Sequence, residues 1–155
     1  MIGTVITLND AEQRLAKYVA RARTDNARSI NLAQTKIGPQ SQYETDLEGM
    51  GAEIAFCRLM NVYPSLDIVD YPGEDPQGDC VVNGRTVDVK TTKHKNGRLI
   101  SVRWKKHKDV YGLMVGTFPS YEFRGLADGQ ELYREQNLVD LGYGPTYALA
   151  QESLR

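Results

Sequence analysis

Gly78-Asp79-Cys80-Val81-Val82-Asn83-Gly84-Arg85-Thr86-Val87-Asp88-Val89-Lys90 is the stretch that decides how this chain folds. Two alternating runs flank Asn83-Gly84. That dipeptide suits a type I′ turn, which needs positive φ at both central residues. A two-residue turn sets Val82 against Arg85, Val81 against Thr86, Cys80 against Val87 and Asp79 against Asp88. Side chains alternate along a strand. Cys80, Val82, Val87 and Val89 therefore form a core face, and Asp79, Val81, Thr86, Asp88 and Lys90 share the other. Asp79 and Asp88 are expected directly across the ladder, where Cβ atoms lie about 4.5–5.5 Å apart and like charges repel. A divalent cation between the carboxylates would remove that cost, and oxygen ligands are what Mg²⁺ prefers. Lys90, on the same face, is placed to meet a phosphate or an attacking water. The placement depends on register, because a slip of one residue would send Asp79 to the core face.

Working outward, Thr7 to Arg23 reads as a first helix, capped by Thr7 or Asn9, with Leu15, Val19 and Ala22 as its apolar stripe. Thr24 to Tyr43 lacks periodicity, contains Gly38-Pro39 and reads as a long loop carrying Arg28 and Lys36. Thr45 to Asn61 is a second helix with Leu47, Met50, Ile54 and Cys57 on one face. Gly49 and Gly51 thin that helix, which predicts close approach of another backbone. At 100° per residue, Glu53 lies about 80° from the centre of the apolar stripe and Glu48 about 140°. Glu53 is thus the expected third acid beside Asp79 and Asp88, and Glu48 is expected to point toward solvent.

Leu66 to Tyr71 is a candidate strand, and Pro72 to Gly78 a loop. Leu99 to Val102 reads as a short strand, Val110 to Phe118 as a buried one and Tyr121 to Ala127 as its antiparallel neighbour. Gln130 to Asn137 reads as a short helix, and Gly142-Tyr143-Gly144-Pro145 separates it from a C-terminal tail.

The 155 residues carry a net charge of −1, which argues against a generally basic coat. The distribution is uneven. Lys90 to Lys108 contains eight Lys or Arg residues and no acid, including Lys93, Lys95, Arg103, Lys105 and Lys106. With Arg28 and Lys36, these are the expected contacts to a phosphate backbone, although a lysine run can also be a solvated face. His94 and His107 are candidates for phosphate contact or proton transfer but read first as solvated loop residues, and Trp104 reads as a base-stacking or anchoring residue. The two cysteines, Cys57 and Cys80, lack zinc-site spacing and sit in apolar patterns, which favours a reduced cytoplasmic setting. No apolar run is long enough to span a bilayer and no signal peptide is read.

A helix glutamate followed by an aspartate and Asp-X-Lys on consecutive strands resembles the PD-(D/E)XK nuclease superfamily. The residues that carry the likeness are Gly51-Ala52-Glu53, Gly78-Asp79 and Asp88-Val89-Lys90-Thr91-Thr92. The run from Asp46 to Gln151 is also similar to small phage and prophage proteins of that superfamily. The resemblance implies an α/β (α+β) fold with a restriction-endonuclease-like αβββαβ core, a central mixed β-sheet flanked by helices. It implies one domain over 1–155, with an N-terminal helix and loop (1–43), a nuclease core (44–127) and a C-terminal extension (128–155). It implies Mg²⁺, replaceable by Mn²⁺, held by Asp79, Asp88 and the Val89 carbonyl with Glu53 assisting, while Lys90 serves the attacking water. The expected activity is phosphodiester hydrolysis of DNA, as an endonuclease, with RNA open as a substrate and a homodimer allowed. Gly78 stands where the family name has proline, and the Lys90–Val110 link is short for a crossover helix. A binding or assembly protein that keeps the fold without turnover is the rival reading. An interaction module using the acidic C-terminal third is another.

Overall fold

The computed structural model describes residues 1–29, 41–68, 77–103, 105 and 107–155. These residues form an α+β fold of three α-helices and eight strands. Strands β1 (Val5–Thr7), β2 (Cys80–Val82), β3 (Arg85–Thr92), β5 (Val110–Thr117) and β6 (Ser120–Asp128) make a mixed sheet in the order β1-β6-β5-β3-β2. Among the described strands of this sheet only β3 and β5 pair in parallel, with Asp88 beside Tyr111 and Lys90 beside Leu113. A second sheet has the order β4-β8-β7, from Leu99–Val102, Pro145–Leu149 and Leu138–Asp140.

The main sheet lies between two apolar layers. Helices α1 (Asp10–Ser29) and α2 (Gln42–Met60) cover one face through Val19, Met50, Phe56, Val87, Val89, Met114 and Phe123. The small sheet covers the other through Leu99, Tyr111, Leu113, Tyr147 and Leu149. Strand β5 is therefore buried on both faces, which explains its nearly continuous apolar sequence. A bulge shifts the β5–β6 register between Leu113 and Met114. It lets Tyr121 and Phe123 face the helices while Ala127 faces the small sheet, because one extra residue reverses the alternation.

Several sequence expectations need correction. Helix α1 starts after Asn9, whose Oδ1 accepts from Glu12 N–H at 2.9 Å while its own N–H donates to the Glu12 carboxylate at 3.0 Å. Of the two expected caps Asn9 is therefore the one used, Thr7 lies in β1, and the helix runs on to Ser29, so part of the expected loop is helical. The buried stripe is Ala16, Val19, Ala20 and Thr24, and Leu15 is exposed. Helix α2 is capped by Ser41, whose side chain accepts from Glu44 N–H at 3.2 Å, and so begins three residues earlier than its apolar pattern suggests. Gly51 is thin because Tyr121 and Phe118 side chains press on it, rather than a backbone, and nothing crowds Gly49.

Leu66–Ile68 form no strand, and 69–76 lie outside the described residues. The expected helix over Gln130–Asn137 divides into α3 (Gly129–Leu132) and a 3₁₀ turn (Glu135–Asn137), parted at Tyr133 and Arg134. The C-terminal tail supplies β8, which holds β4 and β7 together. The described residues of the β3–β5 crossover form no helix; they contribute β4 to the small sheet instead. No helix among the described residues is long and apolar enough to cross a membrane.

Candidate active site

The β2–β3 ladder pairs Val82 with Arg85, Val81 with Thr86 and Cys80 with Val87, as the two-residue turn requires. Asn83 and Gly84 both have positive φ, 50° and 77°. Beyond Cys80 the ladder departs from the count. Gly78 has a φ of +71° and bridges Val87 in the parallel sense, and Asp79 N–H donates to the Val87 carbonyl at 2.9 Å. Asp79 therefore does not occupy the rung opposite Asp88. Its carboxylate turns along the open edge of β3, where Oδ2 accepts the Val89 N–H at 2.6 Å. The N–H and C=O of one strand residue point to the same side, so the Val89 carbonyl faces that edge too.

A proline would not fit at position 78. Proline holds φ near −65°, far from the +71° found here. Any Cβ at this position would lie 2.6 Å from the Val87 carbonyl oxygen.

Helix α2 brings Glu53 to this corner, buried at 8% exposure. Arg23 of α1 contacts the Glu53 carboxylate at 3.2 Å and donates to the carbonyls of Ser65 and Asp67 at 3.0 and 3.1 Å. Ser65 N–H in turn donates to the Asp79 carbonyl at 2.8 Å. These contacts tie α1, α2 and the end of β2 into one unit. Glu48, expected in solvent, instead accepts from Phe118 N–H at 2.9 Å and Tyr121 Oη at 3.1 Å, because α2 runs across the β5–β6 turn.

The charges are strongly interdependent. Burial, then the fields of Glu53 and Asp88, hold Asp79 well above the ordinary carboxylate range, against the opposing Val89 N–H and Lys90. Burial also raises Glu53, opposed chiefly by Arg23, with Asp88 raising it further. Lys90 Nζ lies 2.8 Å from the Asp88 carboxylate. Burial works against its charge, but Asp88, assisted by Asp79 and Tyr133, holds the ammonium above its usual range. Glu53, Asp79, Asp88 and Lys90 thus share one electrostatic environment. Among the described residues, no three His, Cys, Asp or Glu side chains form a ready-made metal cluster. Asp88 is engaged by Lys90 and Glu53 by Arg23.

The basic block is not one continuous face. Lys93, Lys95 and Arg103 are exposed, Lys90 and Lys105 are half-buried, and Lys108 is buried. Arg28 is exposed in the last turn of α1. Lys36, Trp104 and Lys106 lie outside the described residues. His94 is exposed, and His107 stacks on Tyr133 with ring centres 3.3 Å apart.

Sequence reasoning missed Arg23, Ser101, Tyr111 and Tyr133. Tyr111 neighbours Asp88 through the parallel β3–β5 pairing, and Tyr133 Oη lies 2.8 Å from Tyr111 Oη and 2.6 Å from Ser101 Oγ. No local pattern marks these residues, since the pairing joins segments far apart in sequence. Cys57 of α2 and Cys80 of β2 are buried free thiols whose interaction pushes Cys57 up and Cys80 down. No family model, curated protein or solved structure matches the chain.

Proposed function

We propose that this protein is a Mg²⁺-dependent DNA nuclease, acting as an endonuclease, with Glu53, Asp79, Asp88 and Lys90 at its centre. The observation that carries this reading is the half-buried Asp79 carboxylate, held on Val89 N–H, with buried Glu53 and the Asp88–Lys90 pair acting on its charge. Burying acids next to one another costs stability unless a cation offsets them. The donor chemistry fits a hard divalent ion: Asp79 and Asp88 carboxylates and the Val89 carbonyl would hold Mg²⁺ or Mn²⁺, with Glu53 beside them. When bound, such an ion supplies Lewis-acid polarisation of a phosphoryl oxygen.

The chain's own residues supply the remaining functions. Lys90 is positioned to orient an attacking water and to offset charge on the phosphorane-like transition state. Asp88 holds the Lys90 ammonium charged and directed. Arg23 holds Glu53 against the corner, and Asp79 fixes the β3 edge on which Val89 presents its carbonyl. Exposed Lys93, Lys95 and Arg103, with Arg28, would meet the phosphate backbone. Helix α2, the β2–β3 hairpin and the parallel β3–β5 pair support a restriction-endonuclease-like core, with β4 in the crossover in place of a helix.

The test is Mg²⁺-dependent nicking of plasmid and branched DNA, with Asp88→Asn and Lys90→Ala as controls. Equal background from the wild type and both variants overturns hydrolysis on those substrates. The Asp88–Lys90 and Glu53–Arg23 contacts favour a second reading, a DNA-binding protein whose acids serve ion pairs rather than a metal. Calorimetric titration with Mg²⁺ separates the two: that reading requires that no divalent ion bind at Asp79 and Asp88.

A further inference from the structure

Tyr133 is one of the most completely fastened side chains outside the acidic corner. Its hydroxyl meets Ser101 Oγ at 2.6 Å and Tyr111 Oη at 2.8 Å. Tyr111 and Tyr147 press on it edge-on, with ring centres 5.6 and 4.8 Å away. The His107 imidazole lies flat on the Tyr133 ring, 3.3 Å between centres and 7° between planes. The backbone just after His107 is pinned as well, because Lys108 N–H donates to Tyr111 Oη at 2.9 Å. His107 is nonetheless exposed. Among the described residues no other ring stacks on its second face.

This stack adjoins the acid–lysine pair. Tyr111 stands beside Asp88 in the parallel β3–β5 register, and Tyr133 touches Tyr111. Lys90 and Asp88 are near enough that Tyr133 feels both charges. Exposed Arg103 lies four residues before His107 in the same segment.

We propose that the outer face of His107, backed by Tyr133, is a stacking platform for one unpaired nucleobase next to the Asp88–Lys90 pair. The choice of a nucleobase rests on the nuclease reading. A rigid, solvent-facing ring gives a flat π surface that any base can cover, and cations nearby hold the phosphate that accompanies it. A base inside a duplex has both faces occupied by its neighbours, so the platform selects single-stranded, frayed or branched nucleic acid.

The experiment uses the full chain without divalent metal, so that binding is read apart from cleavage. The probe is a single-stranded DNA oligonucleotide carrying 2-aminopurine, whose fluorescence is quenched on stacking, compared with the same residue inside a duplex. Wild type should quench the single strand and leave the duplex signal unchanged. His107→Ala should lose the quench and bind it roughly tenfold more weakly, in keeping with the worth of one base–aromatic stack. His107→Phe, which keeps a flat ring, should retain both. Absence of quenching by the wild type, equal quenching by His107→Ala, or loss of quenching in a folded His107→Phe overturns the platform. Cleavage that depends on Asp88 and Lys90 but is indifferent to His107 on single and double strands removes the platform and leaves the nuclease standing. Stacking without any cleavage does the reverse.

Discussion

The Asp79 carboxylate accepts the Val89 N–H at 2.6 Å, so one acid both seals an open strand edge and stands among other acids. Its raised affinity for a proton means that the native state binds more protons than the unfolded chain between the ordinary aspartate range and the raised value. Stability therefore falls as pH rises through that window and stays lower above it. Asp79→Asn keeps an acceptor for Val89 N–H and removes the charge. It should abolish metal-dependent activity yet raise Tm at neutral pH by a few degrees, about 2–4 °C per kcal/mol for a chain of this size. Thermal scans at pH 4 and pH 7.5 check the sign, since the gain should shrink at the lower pH.

Glu53 is the largest charged contribution to the raised Asp79. If ionised Asp79 is needed to hold the metal, the acidic limb of kcat/KM at subsaturating Mg²⁺ should lie above the ordinary carboxylate range. Glu53→Gln should move that limb toward lower pH while reducing the maximal rate. A pH–rate profile with an unmoved limb would separate Asp79 from the rate-controlling ionisation.

Arg23 is the direct counter-charge to Glu53 and also binds two carbonyls of the segment after α2. Arg23→Met should destabilise the fold by about 2 kcal/mol, below the cost of breaking a fully buried pair because Arg23 is partly exposed. Much of that cost is the stranded Glu53 carboxylate, so Arg23→Met/Glu53→Gln should recover part of it. Urea denaturation of the four proteins in a double-mutant cycle measures the coupling.

Lys90→Ala should lower kcat by roughly 10²–10³-fold, the scale seen when one preorganised transition-state donor is removed. Binding of DNA should change far less, because the exposed cations lie elsewhere. Single-turnover kinetics alongside equilibrium binding distinguish these effects.

Gly78 and Gly84 stand at either end of β2, both with positive φ, but only Gly78 meets a neighbour. Gly84→Ala should cost about 1 kcal/mol and leave cleavage intact, since nothing lies within 4 Å of the added carbon. Gly78→Ala would press on the Val87 carbonyl and displace Asp79, so activity should fall together with stability. Circular dichroism melts paired with cleavage assays resolve the two.

By itself the sequence determined the Asn83-Gly84 turn, the register from Cys80 to Val87 and the burial of Cys80, Val87 and Val89. Turn chemistry and the two-residue alternation are local properties, so a short stretch suffices to define them. Glu53 is different: Met50 to Cys57 of α2 are all buried, so its burial follows from where the helix packs and not from helical periodicity. Tertiary structure alone decided where Asp79 points. Gly78 steps off the ladder to bridge Val87, and the Asp79 backbone is held by Val87 and by Ser65, residues well separated from it in the chain. Tertiary structure also decided that Arg23 answers Glu53 and that Tyr133 stands near Asp88, through the α1–α2 packing and the parallel β3–β5 pairing. Such contacts depend on how distant segments share a core, and no periodicity within either segment encodes that partnership.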